Sequence, residues 1–384
     1  MARLGDLVTV SASSEQLTGD KFWLLNLDMI EQQTGRIVNY LFVDETKLDG
    51  SIIQFDTDTV LYSKLRPNLN KVVLPQMCGY ATSELLPLKP DSKLYKHYLA
   101  IYLRSDAFVT WAVSKTAGAK MPRLGTKELL NKDIPLPSLD EQKRIAECFE
   151  KINELIFLRK QQLSKLDELV KSRFIEMFGD PSANPYSWDV VNITNVVEGK
   201  VSNGFFAKRD EYTDDGNVRV LGVANIVNRM YSNVDDLPKT IGTTSDIQKF
   251  EVKYGDMLFC RSSLVAEGIG KASIVPMDVP PSTLFECHVI RLPLNLNKCV
   301  PEYMQVLSTT DYFRMQIISQ SKTATMTTIG QDGILKTMII LPPIERQKQF
   351  LEFVKQIDKS KFEIQKSLEK LETLKKALMQ KYFG

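Results

Sequence analysis

The stretch Ser63-Lys64-Leu65-Arg66-Pro67-Asn68-Leu69-Asn70-Lys71 alternates cations and amides with apolar anchors. Lys and Arg reach phosphate oxygens, and Arg and Asn pair bidentately with guanine and adenine edges, so this mix can grip a nucleic-acid backbone and read bases together. The second half of the chain carries Arg261-Ser262-Ser263 and then Gly268-Ile269-Gly270-Lys271 at the corresponding place, with Asn203-Gly204-Phe205-Phe206-Ala207-Lys208-Arg209 upstream. A Ser/Thr-rich loop over 321–328 matches another over 114–121. The candidate contacts are therefore Lys64, Arg66, Asn68, Asn70, Lys71 and Lys120 in the first half. In the second they are Asn203, Lys208, Arg209, Arg261, Ser262, Ser263, Lys271, Lys322 and Thr325. Lys64, Lys71, Arg261 and Lys271 are assigned to phosphates, where they position a duplex without reading it. Any one such loop is also an ordinary solvated loop; recurrence at corresponding places is what favours a binding role.

Catalytic chemistry finds no comparable pattern. Gly270-Lys271 ends like a phosphate-binding loop, but Val265 stands where the first glycine belongs and Ala272 where a magnesium-holding Ser or Thr is needed. Asn184-Pro185-Tyr186 reads as a linker turn. The five cysteines, Cys78, Cys148, Cys260, Cys287 and Cys299, have no C-x-x-C spacing, and only His97 and His288 could add imidazole, so neither a metal site nor a catalytic constellation is expected.

These loops recur because the chain repeats itself. Ile134-Pro135-Leu136-Pro137-Ser138-Leu139-Asp140-Glu141-Gln142-Lys143 returns as Ile339-Ile340-Leu341-Pro342-Pro343-Ile344-Glu345-Arg346-Gln347-Lys348, and the register then holds without a gap to Phe178-Gly179 and Phe383-Gly384. Upstream, Tyr98, Asp106, Phe108, Ala119, Met121 and Gly125 fall opposite Tyr303, Asp311, Phe313, Ala324, Met326 and Gly330. Val60-Leu61-Tyr62-Ser63-Lys64 reads like Met257-Leu258-Phe259-Cys260-Arg261. A duplicated unit of this kind can pair with its own copy about a pseudo-two-fold axis.

Each repeat ends in a helix with a heptad seam. In the first, Ile145, Phe149, Ile152, Ile156, Arg159, Leu163, Leu166, Val170, Arg173 and Met177 are spaced alternately by four and three. The second gives Phe350, Val354, Ile357, Lys361, Ile364, Leu368, Leu371, Lys375, Leu378 and Tyr382. The seam cations fall at different positions in the two copies, which favours one heterotypic register. A perpendicular two-fold makes the pair antiparallel, and a helix of about 39 residues at about 1.5 Å per residue reaches nearly 60 Å, more than one turn of DNA at about 34 Å. Ser138 with Glu141 predicts a capping box at the first helix; Pro343 and Arg346 require a different start at the second.

Ahead of each helix lie short apolar runs at 51–55, 60–62, 71–74, 218–221, 256–259 and 288–292, read as strands, and helical stretches at 93–114 and 301–319. The expected fold class is α+β: two mixed α/β heads joined by a long antiparallel two-helix coiled coil, a pseudo-two-fold internal repeat. The boundaries drawn are 1–135, 136–179, 180–340 and 341–384, with a turn-rich junction over 179–185. A length of 384 residues, 43% hydrophobic and 25% charged, is globular. A net charge of +2 argues against a protein that coats nucleic acid and leaves room for local basic loops. With no bilayer-spanning apolar run and no signal peptide at Met1-Ala2-Arg3, a cytoplasmic location is expected.

Leu136-Pro137 with Leu139-Asp140-Glu141-Gln142-Lys143-Arg144-Ile145, the echo over 341–348, and the junction from Phe178-Gly179-Asp180-Pro181 to Trp188-Asp189-Val190-Val191 resemble the specificity subunit of type I restriction-modification systems. The similarity covers essentially the whole chain, departing at Arg346, where glutamate usually stands. The resemblance implies two target-recognition domains alternating with two conserved spacer helices. Each domain would read one half of a bipartite asymmetric site on double-stranded DNA, and the coiled coil would set the unread spacer and dock partners. It implies two modification subunits that carry S-adenosylmethionine and methylate adenine, restriction and motor subunits in the full complex, and no catalysis or cofactor in this chain. The rival expectations are a two-headed coiled-coil protein-interaction scaffold without DNA specificity, and an independent methyltransferase, disfavoured by the missing cofactor motif.

Overall fold

The computed structural model describes residues 1–384 except 14–16, 18, 45–47, 49–50, 119 and 324–325. The chain forms two compact units, one from Met1–Gln161 with Ile364–Gly384 and one from Gln162–Glu363. This partition crosses the linear one, because each long helix belongs to both units.

In the first unit, Val60–Ser63 and Leu85–Pro90 form a central antiparallel pair flanked by Val8–Val10 and Val72–Val73. A second four-stranded sheet runs in the order Leu41–Val43, Phe22–Leu25, Gly79–Thr82 and Ile52–Phe55, with the two inner strands parallel. The second unit uses a similar plan. Asp256–Cys260 and Val289–Pro293 pair antiparallel between Ala272–Ile274 and Ser202–Asn203. A parallel pair of Val218–Leu221 and Thr283–Phe285 sits in its own three-stranded sheet. Val, Ile, Leu and aromatic residues line the buried faces of the central strands, such as Val60, Tyr62, Leu86, Leu88, Phe259 and Ile290.

The stretches read as helical over 93–114 and 301–319 each hold two helices. The helices are Lys96–Leu103 and Asp106–Ser114 in the first unit, and Pro301–Ser308 and Asp311–Ser319 in the second. Ser105 and Thr310 interrupt them at the same repeat position: each adopts extended backbone and accepts from the amide three residues on, Phe108 at 3.3 Å and Phe313 at 3.5 Å. A hydroxyl that caps the next helix outcompetes continuation of the previous one.

The long helices span Leu139–Phe178 and Ile344–Phe383. Every seam position is buried or half-buried while its neighbours along the helix are largely exposed. In the first unit, Ile145, Phe149, Ile152 and Leu368 are buried, and Ile156, Ile364, Leu371 and Leu378 are half-buried. Phe149 lies 6.2 Å from Phe383, ring to ring, and Lys160 bridges Glu372 at 3.5 Å, so the helix segments run in opposite directions. In the second unit Val170, Phe350, Val354 and Ile357 are buried, and Leu163 and Leu166 half-buried. The same opposition is set there by Phe174 on Phe350 (5.7 Å) and Lys361 on Asp167 (2.5 Å).

Towards their C-termini the buried faces rotate from the expected seam. Phe174, Phe178 and Phe383 fill the core, while Arg173 and Tyr382 are half-buried, because these ends pack on head tyrosines as well as on a helix. Phe178 meets Tyr303 at 4.8 Å and Phe383 meets Tyr98 at 5.3 Å. The Arg173 guanidinium settles 5.7 Å from the Phe353 ring, a cation–π contact that lets it stay on the seam.

The junction is a locked turn. Gly179 takes φ +77°, where a Cβ would lie 2.4 Å from Pro185, and the Asn184 side chain binds both the N–H and the carbonyl of Trp188. The Trp188 indole donates to Phe178 O at 3.0 Å. Asn184 thus holds a corner, in keeping with its reading as a linker residue.

Candidate nucleic-acid interface

Two loops singled out separately in the sequence are paired by the fold, and in both units alike. In the first, Leu65 bridges Arg123, Arg66 N–H donates to Pro122 O (2.8 Å) and Leu124 N–H to Lys64 O (2.9 Å). In the second, Ser262–Ser263 pairs antiparallel with Thr327–Thr328, which pairs in turn with Lys322–Thr323, and Ile329 N–H donates to Arg261 O (3.0 Å). Leu124 and Ile329 share one repeat position, so the same backbone bond is made twice. Each unit thereby carries a polar ridge that joins the loop after its central strand to the loop after its second short helix.

On the first ridge, Arg66 is exposed and held in left-handed backbone at φ +48°. That conformation is unfavourable for arginine, and the turn over Pro67–Leu69 imposes it, with Leu69 N–H closing on Arg66 O at 2.9 Å. Asn68 and Lys120 are also exposed, and Lys64 is half-buried. Two expected contacts are corrected. Asn70 is 6% exposed and its amide nitrogen donates to Gln33 Oε1 (3.2 Å) and Arg104 O (3.1 Å). The Lys71 ammonium is turned onto Leu27 O, and burial pulls its pKa down, with Asp28 opposing. Both side chains hold the loop rather than face a ligand: a half-buried cation finds a carbonyl, and an asparagine at φ +50° closes a turn.

On the second ridge, Lys322 is exposed, and Ser262 and Ser263 are half-buried beside His288, whose Nδ1 lies 3.3 Å from Ser262 Oγ. Arg261 donates to Cys287 O at 3.1 Å, and Lys271 to Asn228 Oδ1 at 2.7 Å. These bonds tether the two cations while leaving them half-exposed. Lys208 and Arg209 are exposed at a short turn, Asn203 is half-buried in its strand, and Thr325 lies outside the described residues, as do Ala119 and Ala324 of the repeat register.

The sequence did not disclose what the repeated glutamine does. Gln142 and Gln347 are both fully buried. Gln142 Oε1 accepts from Tyr95 N–H (2.8 Å), and its nitrogen donates to Lys93 O (2.9 Å) and Pro137 O (3.0 Å). Gln347 makes the same three bonds, to Val300 N–H (2.9 Å), Lys298 O (3.4 Å) and Pro342 O (2.7 Å). Tyr98 and Tyr303 repeat a further tie, donating to Pro135 O (2.9 Å) and Ile340 O (2.8 Å). Each long helix is thus fastened at its start to the first helix of its head, which holds the ridge in a fixed frame. The start of the first helix also shows half of the expected box, Glu141 N–H on Ser138 Oγ at 3.3 Å, while the second begins with Arg346 N–H on Pro343 O at 2.9 Å.

The model of the family described as type I restriction modification DNA specificity domain matches residues 30–168 and 185–376. The chain belongs to this family, whose members are the non-catalytic DNA-recognition subunits of type I restriction-modification systems. Its relatives include the MjaVIII specificity subunit of Methanocaldococcus jannaschii, 25% identical over 317 residues covering 78% of this chain and 72% of that protein. The EcoKI specificity subunit of Escherichia coli K12 is 22% identical over 325 residues, covering 77% of this chain and 66% of that protein. Among solved structures, the S subunit of M. genitalium has a TM-score of 0.57 at 11% identity, covering 100% of this chain and 95% of that one. A chain from a type I R-M system, solved to explain complex assembly and conformational transition, also scores 0.57, at 17% identity, covering 100% of this chain and 96% of that one. These likenesses show a shared fold of mixed helix and sheet. Family membership favours DNA specificity over the scaffold reading.

Proposed function

We propose that each head reads one block of a bipartite, asymmetric DNA site, and that the two long helices form an antiparallel coiled coil that sets the unread spacer and docks the modification subunits. The observation that carries this reading is the ridge, built twice from the same backbone bonds but bearing Arg66, Asn68 and Lys120 in one head and Ser262, Ser263 and Lys322 in the other. One scaffold with two side-chain sets reads two different sequences. Each good bidentate base contact contributes about 1–3 kcal/mol of discrimination, so a few per head suffice. Lys64, Arg261 and Lys271 would position phosphates, joined by Asn203, Lys208 and Arg209 at the margin. The opposed helix directions within each unit support the antiparallel pairing.

The four-part division into 1–135, 136–179, 180–340 and 341–384 belongs to this proposal. So do two adenine-methyltransferase subunits that bring S-adenosylmethionine, restriction and motor subunits, and a cytoplasmic location. Among the described residues no helix is long and apolar enough to cross a membrane. Fluorescence anisotropy of the chain with its methyltransferase partner tests the reading. Affinity for random-sequence duplexes should fall steeply with salt, and a duplex carrying both blocks should bind at least about a thousandfold tighter. Salt-insensitive binding, or no preference for the two-block duplex, would overturn it.

A further inference from the structure

We propose that the second head pushes an apolar wedge, Leu264 and Val265, between stacked base pairs of the block it reads, so that this block is recognised partly by how readily it kinks. The inference rests on the reading of that head as a DNA-binding unit. Leu264 is 82% exposed and Val265 58% exposed, immediately after the ridge strand Ser262–Ser263. Two adjacent branched aliphatic residues at a solvent-facing tip gain stability only when something covers them.

The tip is built to hold them out. Val265 N–H donates to Ser263 Oγ (3.3 Å), Gly268 N–H to Val265 O (3.1 Å) and Gly270 N–H to Cys260 O (2.8 Å). The Arg314 guanidinium anchors the following turn through Glu267 O at 3.1 Å. Gly268 leaves room for the bonded Ser263 hydroxyl, because a Cβ there would lie 2.1 Å from Ser263 Oγ and push it aside. A tip fixed by so many bonds can enter a stack without first being ordered.

The surroundings select the occupant. Lys322 stands on the same three-stranded ridge, and Arg261 and His288 flank Ser262. An apolar tip on a ridge that also carries the half-exposed Arg261 and the exposed Lys322 matches the apolar faces and anionic backbone of an opened DNA step, the arrangement by which side-chain wedges unstack and kink a duplex. In the first head the exposed Arg66 occupies the corresponding turn, so the two blocks would be read by different means.

The test uses the chain in complex with its methyltransferase partner and duplexes carrying the mapped target, with 2-aminopurine placed singly at purine positions that are not methylated. One step in the second block should brighten several-fold on binding. Leu264→Ala/Val265→Ala should abolish that rise and weaken binding roughly tenfold, while Leu264→Met keeps the rise and the first block is read as before. No brightening in the unsubstituted protein, or a rise that survives the double substitution, overturns the wedge and leaves the DNA-reading function intact. Failure of the unsubstituted complex to prefer its target would overturn both.

Discussion

Replacing Gln347 by alanine should uncouple the second long helix from its head. The side chain is fully buried and makes three bonds, so the substitution strands the Val300 N–H and the Pro342 carbonyl away from water and frees the part-buried Lys298 carbonyl. A buried amide left without a partner costs about 1–3 kcal/mol, and the carbonyl of Pro342, now paired at 2.7 Å, adds a comparable term. The bond to Lys298 O is long at 3.4 Å and contributes little. A total of about 3 kcal/mol in the unit spanning Gln162–Glu363 lowers its melting transition by roughly 6–12 °C. Scanning calorimetry on Gln347→Ala and Gln142→Ala should show two different transitions shifting, one for each unit. Gln347→Glu should be at least as damaging at neutral pH, since a carboxylate cannot donate to either carbonyl. A shift below about 2 °C for both alanine variants would refute the assignment of these glutamines as the joints that fix the ridges.

Arg66→Ala should impair recognition of only the block read by the first head, by about 1–3 kcal/mol, and competition binding with mismatched duplexes in each block would show it; equal loss at both blocks would contradict it. Gly268→Ala should weaken target binding through the second block alone, since its Cβ would displace Ser263 Oγ from the ridge; anisotropy against duplexes altered in one block reads this directly. Glu302 is 2% exposed, accepts from Tyr231 (3.0 Å) and Tyr254 (3.4 Å), and burial raises its pKa. A carboxyl whose folded pKa is raised favours the fold fully below its unfolded pKa and loses that contribution as pH rises through the folded value. Glu302→Gln should therefore raise the melting temperature of its unit by a few degrees at pH 8 and change it little at pH 4; the reverse order in a pH series of thermal melts would be contrary evidence.

The duplication, the strands and the two long helices were legible because they rest on periodicity and on a gap-free register from Ile134 to Gly179 and Ile339 to Gly384. The six apolar runs read as strands each coincide with a strand, with no end shifted by more than one residue. What stayed hidden depended on partners distant in sequence. Ser105 and Thr310 look like ordinary helix-surface residues until they cap a neighbour. Asn70 and Lys71 have the composition of ligand-binding residues, and only their burial beside Arg104 and Leu27 assigns them to the loop. The pairing of the two polar loops in each head was not visible either, although the matched Met121 and Met326, both exposed beside the ridges, were a signal that the second loop comes to the surface with the first. Gln142 and Gln347 were visible as an identity of the repeat, but their three bonds each go to backbone atoms that no side-chain pattern encodes.

Methylome sequencing of cells with and without the gene tests the central claim most directly. The account predicts that its loss erases adenine methylation from one asymmetric motif of two defined blocks separated by a spacer of fixed length and unspecified sequence, with a marked adenine in each block. An uninterrupted palindromic motif, or a methylome unchanged by the loss, would contradict it.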